Sequence, residues 1–269
     1  MTLSSELVEI VCPECKATKK VALPMDILNQ NKFRLIKMQV SEKICKHTFI
    51  VFFDPNTRKI VGAQKIDITF KVSSEEFKIL EQSFSLKGLI YLFGIYGTMC
   101  LFHANIFNYS VRIFSTSFPE EYLEVIQNYF IQKINQNNHS FSISKLDDFY
   151  FLKPYVLTSL FADTLILDSD KNILNTPWES DLNFEIDLLR NALSIKDQKK
   201  QLEMISDEIE LLLIELNLVT KTLKKQPPLK KEELPTYIEK HFQTSLIYKY
   251  GTTLLEEYIK KTNQSELLL

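Results

Sequence analysis

Residues 11–15 read Val-Cys-Pro-Glu-Cys, and residues 44–47 read Ile-Cys-Lys-His. The first stretch holds a Cys-x2-Cys pair and the second a Cys-x-His pair, with 29 residues between the two pairs. Two ligands this close in sequence can wrap a metal ion through one tight turn, and a second pair on another turn completes a tetrahedron. Four nitrogen and sulfur ligands with no open position are typical of a structural zinc site. We therefore predict that Zn²⁺ is bound by Cys12, Cys15, Cys45 and His47.

The way the chain uses its cysteines supports this interpretation but leaves alternatives. Three of the four cysteines belong to the two pairs, which suits a metal better than disulfides and favours a reducing, cytoplasmic setting. The first nine residues also lack the pattern of a secretory signal. Free thiols or a redox Cys-x-x-Cys pair remain alternatives, and without His47 the metal site would be open. Cys100 has no partner at ligand spacing, so we expect a buried, inert thiol.

Composition and charge divide the 269 residues into three regions. Residues 1–72 are predicted to form a zinc-binding β module, residues 73–180 a central mixed α/β domain, and residues 181–269 a C-terminal helical hairpin or coiled coil. The predicted fold class is therefore α+β. Residues 1–71 carry a net charge of +5 and the remainder a net charge of −7. With only five glycines and no glycine-rich phosphate-binding or nucleophile-elbow motif, the chain gives little support to a nucleotide-binding or hydrolase function.

The central region contains a long stretch without any charged side chain, from residue 88 to residue 109. Its length would allow a membrane span, but its glycine, asparagine and histidine residues favour a buried passage. We expect a helix from Ser73 to about Leu92, then a strand over 98–107 that pairs with a return strand over 110–115. A further helix is expected over 118–135, and a hairpin over 164–174. His103 is expected to be a core histidine bonded to the backbone, and Asp168 to serve a turn through local hydrogen bonds.

The C-terminal region carries a strict heptad pattern between residues 202 and 223. The seam residues are Leu202, Ile205, Ile209, Leu212, Leu216, Val219 and Leu223. Pro227 and Pro228 end this helix, and a second amphipathic helix is expected from about Glu233, interrupted at Gly251. The short connection favours an antiparallel hairpin of the two helices, while a homodimer formed through the seam is the alternative.

The N-terminal region resembles a family of uncharacterised archaeal zinc-ribbon-like proteins. The similarity covers roughly residues 10–70 and is carried by the Cys-Pro-x-Cys motif, the block Ile-Cys-Lys-His-Thr-Phe at 44–49, Phe53-Asp54 and Lys65-Ile66-Asp67. Where related sequences tend to have a glycine-rich connection, this chain has Gln39–Lys43. The resemblance implies a metal-binding module and an archaeal, cytoplasmic origin, and it implies no activity.

These observations together favour a non-enzymatic zinc-binding adaptor or scaffold that acts through protein–protein contacts. The first alternative is a nucleic-acid-binding regulator that uses the basic N-terminal region. Its candidate contact residues are Lys16, Lys19, Lys20, Arg34 and Arg58. The second alternative is an enzyme with an unrecognised site in the central domain, which would require a pocket with titratable groups.

Overall fold

The chain folds into a mixed α+β structure with a large sheet and helices, as the sequence patterns predicted. The computed structural model describes residues 5–24, 35–40, 44–66, 68, 85–115, 128, 141–145, 162–168 and 171–268. Residues 73–84 of the helix expected from Ser73 lie outside the described residues. The helix expected over 118–135 also lies outside them, apart from residue 128, which is helical.

The described strands form a two-stranded hairpin and a seven-stranded sheet. The strands are β1 Ser5–Val11, β2 Thr18–Pro24, β3 Ile36–Val40, β4 Phe49–Asp54, β5 Lys59–Lys65, β6 Ser110–Ser115, β7 Phe141–Lys145, β8 Thr164–Asp168 and β9 Asn172–Asn175. The hairpin pairs β1 with β2, and the sheet has the order β5-β4-β3-β9-β8-β6-β7. Strand β6 runs parallel to β7 and β8, and the remaining pairs are antiparallel.

Alternation of side chains along the strands gives the sheet two apolar faces. On the hairpin face, residues such as Ile36, Phe49 and Ile166 pack with Val8 and Ile10 of the hairpin. On the opposite, helix face, neighbouring strand residues belong to the core that contains the helices. These include Ile50, Ile113, Leu165 and Leu167. The sheet is therefore covered by the hairpin on one side and by helices on the other.

The sheet crosses the boundary expected after residue 72. Strand β3, from the predicted zinc module, pairs with β9 from the predicted central domain, with Lys37 opposite Ile173 and Met38 opposite Asn172. No break in the sheet therefore marks that boundary. The predicted hairpin over 164–174 is confirmed, because β8 and β9 pair in antiparallel fashion.

The strand expected over 98–107 is wrong, because these residues belong to helix α1, Leu86–Ile106. Its side chains are buried nearly all round, so the sequence shows no helical period, and its aromatic and β-branched content favoured a strand. Ser85 begins the helix by accepting a hydrogen bond from the Gly88 N–H at 3.1 Å. Only the return strand, β6, is confirmed.

Helix α1 is also the one helix among the described residues that is long and apolar enough to cross a membrane. Its 18-residue window has a mean hydropathy of 1.4, and 94% of that window is buried inside the protein. The burial matches the interpretation that this stretch is a core passage. A buried core helix passes the same length and composition test as a membrane span.

The C-terminal region is helical but less regular than the sequence suggested. Its helices are α2 Asn183–Ser194, α3 Gln198–Leu223, α4 Leu234–His241, α5 Leu246–Tyr250 and α6 Thr253–Lys261, with 3₁₀ turns at Lys231–Glu233 and Ser265–Leu267. The predicted interruption of the second helix at Gly251, whose φ is +92°, is confirmed. The stretch before Gly251 was predicted as one helix, and this is wrong, because it is divided after His241. Ser245 caps the middle piece by accepting from the Tyr248 N–H at 3.1 Å.

The heptad seam on α3 is an internal packing surface. Six of its seven residues are at most 2% exposed, and Leu202 is partly buried against the same core. Helix α3 contacts α1, α2, α5 and α6, so the seam packs against several elements of its own chain rather than against one antiparallel helix. The seam residues are therefore not accessible to a second copy of the chain.

Candidate metal centre

The first ligand pair lies at the turn that joins β1 to β2. Burial alternates along β1, with Val8, Ile10 and Cys12 facing the sheet, so the strand delivers the Cys12 thiol inward. The Cys12 N–H donates to the Ala17 carbonyl at 2.9 Å, and the Lys16 N–H donates to the Cys12 carbonyl at 3.1 Å. Lys16 has a φ of +60°, which reverses the chain directly after Cys15. This compact turn holds both thiols on one side.

The second ligand pair lies on the segment that enters β4. Ile44, Cys45 and Lys46 form a bend, and strand β4 begins two residues after His47. Thr48 is buried, and its carbonyl accepts a hydrogen bond from the Ile66 N–H at 3.1 Å, which anchors the segment to the end of β5. Cys45 and His47 are therefore fixed at the start of β4, beside the end of β5.

The structure brings the two predicted pairs together into one cluster. One potential ligand atom from each of the four residues lies within 4.8 Å of the others. The Nδ1 atom of His47 is 3.6 Å from the Cys12 Sγ and 3.7 Å from the Cys45 Sγ. In a tetrahedron with zinc–sulfur bonds of about 2.3 Å and zinc–nitrogen bonds of about 2.0–2.1 Å, sulfur and nitrogen ligands lie about 3.6 Å apart. These four residues form a candidate metal-binding cluster.

The thiols of the cluster are free and differ in exposure and acidity. Cys12 is fully buried, Cys45 is half-buried and Cys15 is exposed, and none forms a disulfide. Burial by itself raises the pKa of Cys12, but hydrogen bonds from the Cys15 and Glu14 backbone and from the Cys45 and Cys15 thiols lower it to about 6. The His47 backbone lowers the pKa of Cys45, yet burial and the neighbouring thiols raise it overall. The site thus favours a thiolate at Cys12, the form that binds metals.

Two basic side chains near the cluster, Lys16 and Lys65, are held by contacts with the Cys-x2-Cys turn. The Lys16 Nζ donates to the Pro13 carbonyl at 2.7 Å, inside the Cys-x2-Cys turn, and Lys65 forms an ion pair with Glu14 at 3.2 Å. Lys19 and Lys20 are exposed on β2, and Arg58 is exposed in the β4–β5 turn. Arg34 lies outside the described residues. Nucleic-acid binding by this set stays a prediction.

A second polar cluster, which sequence reasoning missed, lies in the core on the helix face. His103 is completely buried, and its Nδ1 lies 2.8 Å from the Glu185 Oε1. The prediction of a core histidine is confirmed, but its partner is this carboxylate from α2 and not the backbone. The ring packs against Phe107 and Trp178, with ring centroids 4.6 and 4.4 Å away. No motif could indicate a pair separated by 82 residues.

The second ring nitrogen of His103 lies close to a residue that lines an open groove. Its Nε2 lies 3.4 Å from the Ser180 Oγ, and Ser180 lines a groove of about 600 Å³. Glu257, which also lines this groove, accepts a hydrogen bond from the buried Tyr109 hydroxyl. The Lys261 ammonium lies 4.0 Å above the Tyr109 ring. Polar groups therefore connect the core to the groove between the segment that precedes α2 and helix α6.

Two minor predictions have clear outcomes. Cys100 is buried in α1, and burial raises its pKa to about 12, which makes the thiol as inert as expected. Asp168 accepts hydrogen bonds from the Asn172 N–H at 2.8 Å and from the Asn172 side-chain amide at 2.7 Å, so it stabilises the β8–β9 turn locally.

No protein-family model, curated protein or solved structure matches this chain. The similarity to zinc-ribbon-like proteins therefore stays a prediction, and the four-residue cluster stands on its own geometry.

Proposed function

We propose that the protein binds one Zn²⁺ at Cys12, Cys15, Cys45 and His47 and serves as an adaptor or scaffold. The observation that carries the proposal is the convergence of these four ligand atoms within 4.8 Å from two separate turns. Three thiols and one imidazole suit Zn²⁺, whereas Ca²⁺ and Mg²⁺ prefer oxygen ligands. All four positions of a tetrahedron are supplied by the protein, which supports a structural ion with no site for a substrate.

The position of the cluster explains what such an ion would stabilise. Cys12 and Cys15 belong to the β1–β2 hairpin, whereas Cys45 and His47 belong to the segment that enters β4. The hairpin pairs only with itself among the described strands and touches the sheet through side chains such as Val8 and Ile10. Metal binding contributes about 10–16 kcal/mol of apparent folding free energy in zinc-finger peptides. An ion here would cross-link the hairpin to the sheet.

The outer face of the hairpin supports the adaptor role. Leu7 is 63% exposed and Val11 is 45% exposed, while the alternate residues of β1 pack inward. Exposed apolar side chains on a strand that is held rigid suit contact with another protein. The metal would therefore fix the geometry of a surface that binds a partner.

Metal analysis tests the first part of the proposal. We expect the purified full-length chain to contain one zinc per molecule by plasma mass spectrometry, and Cys12→Ser and Cys45→Ser to lose it. Cys100→Ala is the matched control, because Cys100 lies in the core outside the cluster, and it should retain zinc. A wild-type protein that neither contains zinc nor takes it up would overturn the metal assignment.

Affinity purification tests the adaptor role separately. A partner recovered with the wild type should be lost with Leu7→Asp/Val11→Asp and retained with Val61→Asp, which changes an equally exposed residue on β5. If the same partners are recovered with all three proteins, the hairpin face is not the contact surface.

A second candidate function, hydrolysis by a serine nucleophile, is favoured by the Ser180–His103–Glu185 alignment. Glu185 can orient the His103 ring, leaving Nε2 to accept the proton of the Ser180 hydroxyl. The Ser180 Oγ would attack an ester carbonyl, His103 would pass the proton to the departing alcohol, and water would then cleave the acyl-serine. The groove beside Ser180 offers space for a small ester.

This second candidate has a direct test. A fluorophosphonate probe should label Ser180 in the wild type, and labelling should disappear in Ser180→Ala but persist in Ser194→Ala, which removes an exposed hydroxyl on α2. Absence of labelling at Ser180 would leave the His103–Glu185 pair as a purely structural contact.

A further inference from the structure

Helix α3 carries a second apolar stripe on the face opposite its buried seam. The stripe consists of Leu211, Ile214 and Leu218, which are 45%, 57% and 56% exposed. Their spacing of three and four residues places them on one side of the helix, in line with one another. A helix that needed only its seam for folding would carry polar residues at these positions.

The charges that flank this outer stripe are ordered along the helix. Continuing the same spacing along the helix gives Asp207 toward the N-terminus and Lys221 toward the C-terminus, seven residues on either side of Ile214. One turn before Asp207, Glu203 forms an ion pair with Lys199 at 3.7 Å. Asp207 and Lys221 are both exposed. Among the described residues, neither Asp207 nor Lys221 takes part in an ion pair. The outer stripe thus has an acidic end, an apolar centre and a basic end.

We infer that this outer stripe is a surface for a second copy of the same chain, paired antiparallel about a twofold axis near Ile214. A twofold axis at residue 214 places Asp207 of one copy opposite Lys221 of the other, and this pairing occurs twice in the dimer. The apolar residues of the two copies meet in the centre, with Ile214 against its own counterpart. A parallel arrangement would place acid against acid and base against base, so the charge order selects the antiparallel one.

The size of the stripe limits the strength of this contact. Stable protein interfaces bury about 1,200–2,000 Å² in total, and three apolar side chains with flanking charges supply less than that. The flanking ion pairs are exposed to solvent and add specificity more than affinity. The dimer is therefore weak and concentration-dependent. It does not depend on a metal at the N-terminal cluster, and it uses the face of α3 opposite the heptad seam.

Sedimentation of the full-length chain over a range of concentrations tests the inference. Wild-type protein should shift from monomer toward dimer as concentration rises, and Ile214→Lys should weaken the association roughly tenfold or more because two lysines would meet on the axis. Val61→Lys is the matched control, since Val61 is 58% exposed on β5, and it should leave the association unchanged. A wild type that stays monomeric at millimolar concentration overturns the inference, as does an Ile214→Lys variant that dimerises normally with an unchanged circular dichroism spectrum.

Charge reversal tests the antiparallel arrangement. Asp207→Lys and Lys221→Asp should each weaken self-association, because like charges then face each other twice in the dimer. The double variant should recover the association, since both pairs are restored with exchanged signs. If the double variant is no better than the single ones, the helices are not antiparallel, and the inference fails. Loss of zinc by Cys12→Ser should leave all these results unchanged, which separates this test from that of the proposed function.

Discussion

The side-chain oxygen of Gln39 accepts a hydrogen bond from the backbone N–H of Tyr96 at 3.1 Å. Gln39 lies on β3, and Tyr96 follows the point where α1 is interrupted at Gly94. Gly94 has a φ of +71°, so the helical hydrogen-bond pattern is broken there and the N–H groups that follow need other acceptors. The Gln39 side chain supplies one of them from the neighbouring sheet, which ties the bend of the helix to the strand that leads toward the second ligand pair.

Substitution of Gly94 by alanine should destabilise the protein by more than backbone strain alone. A Cβ at this position would lie 2.7 Å from the Gln39 Oε1, so the Gln39 side chain would have to move and lose its hydrogen bond with the Tyr96 N–H. The strain of a positive φ adds to this loss. Gly251→Ala is the matched control, because Gly251 also has a positive φ but the nearest atom to an added Cβ is 4.0 Å away. We expect Gly251→Ala to lower the free energy of unfolding by about 1–3 kcal/mol from backbone strain alone, and Gly94→Ala to lower it by more. If urea unfolding gives the same decrease in the free energy of unfolding for Gly94→Ala and Gly251→Ala, the contact with Gln39 does not contribute to stability.

Removal of the Glu185 carboxylate should be more damaging than removal of a surface carboxylate. Both side chains of the His103–Glu185 pair are fully buried. Loss of one partner leaves the polar group of the other in the core without its hydrogen-bond partner. We expect Glu185→Ala to lower the free energy of unfolding by about 3–5 kcal/mol. Glu179→Ala, at an exposed position nearby, should change it by less than about 0.5 kcal/mol. A Glu185→Ala variant as stable as Glu179→Ala would contradict a structural role of the pair.

Acid should weaken the contact between α2 and α5. Asp187 accepts a hydrogen bond from the Tyr250 hydroxyl at 3.0 Å and forms an ion pair with Lys249 at 3.3 Å. Burial by itself raises the pKa of Asp187, but these partners outweigh it and the pKa lies below its usual value. A carboxyl with a lowered pKa in the folded state stabilises the protein above the pKa of the unfolded chain. That contribution is lost as the pH falls through the folded pKa.

The variant Asp187→Asn tests this pH dependence. At neutral pH it should be less stable than the wild type by up to about 1 kcal/mol, because the ion pair is partly exposed to solvent. The difference in melting temperature should shrink as the pH falls below about 4, where aspartate in an unfolded chain becomes protonated. A difference that stays constant down to pH 2 would mean that the charge of Asp187 contributes nothing.

Chelation should affect the N-terminal hairpin first. If a metal joins the hairpin to the sheet, its removal should increase amide hydrogen exchange in β1 and β2 while β8 and α3 stay protected, because those elements belong to the large core on the helix face and its sheet. Exchange measured by mass spectrometry before and after treatment with a strong chelator provides the comparison. Restored protection after addition of zinc is the control, and exchange that is unchanged by chelation would rule out a structural metal.

The sequence by itself determined the elements whose signals are local. Ligand spacing predicted the four residues that converge in the candidate metal cluster, because the two ligands of each pair lie within one short turn. The heptad pattern predicted the buried residues of α3, and the predicted hairpin at 164–174 is confirmed. In each of these elements, the period or the turn residues reflect local geometry that any fold must respect.

Only the tertiary structure decided the rest. Helix α1 has no apolar period because the core surrounds it on nearly all sides, so its sequence is compatible with a strand. The pairing of β3 with β9 and the His103–Glu185 contact join residues far apart in the chain, and no local pattern specifies which distant groups meet. The sequence pattern predicted the seam of α3 as a buried helix face. The packing of the whole chain decides which elements cover that face and which face of the helix remains exposed.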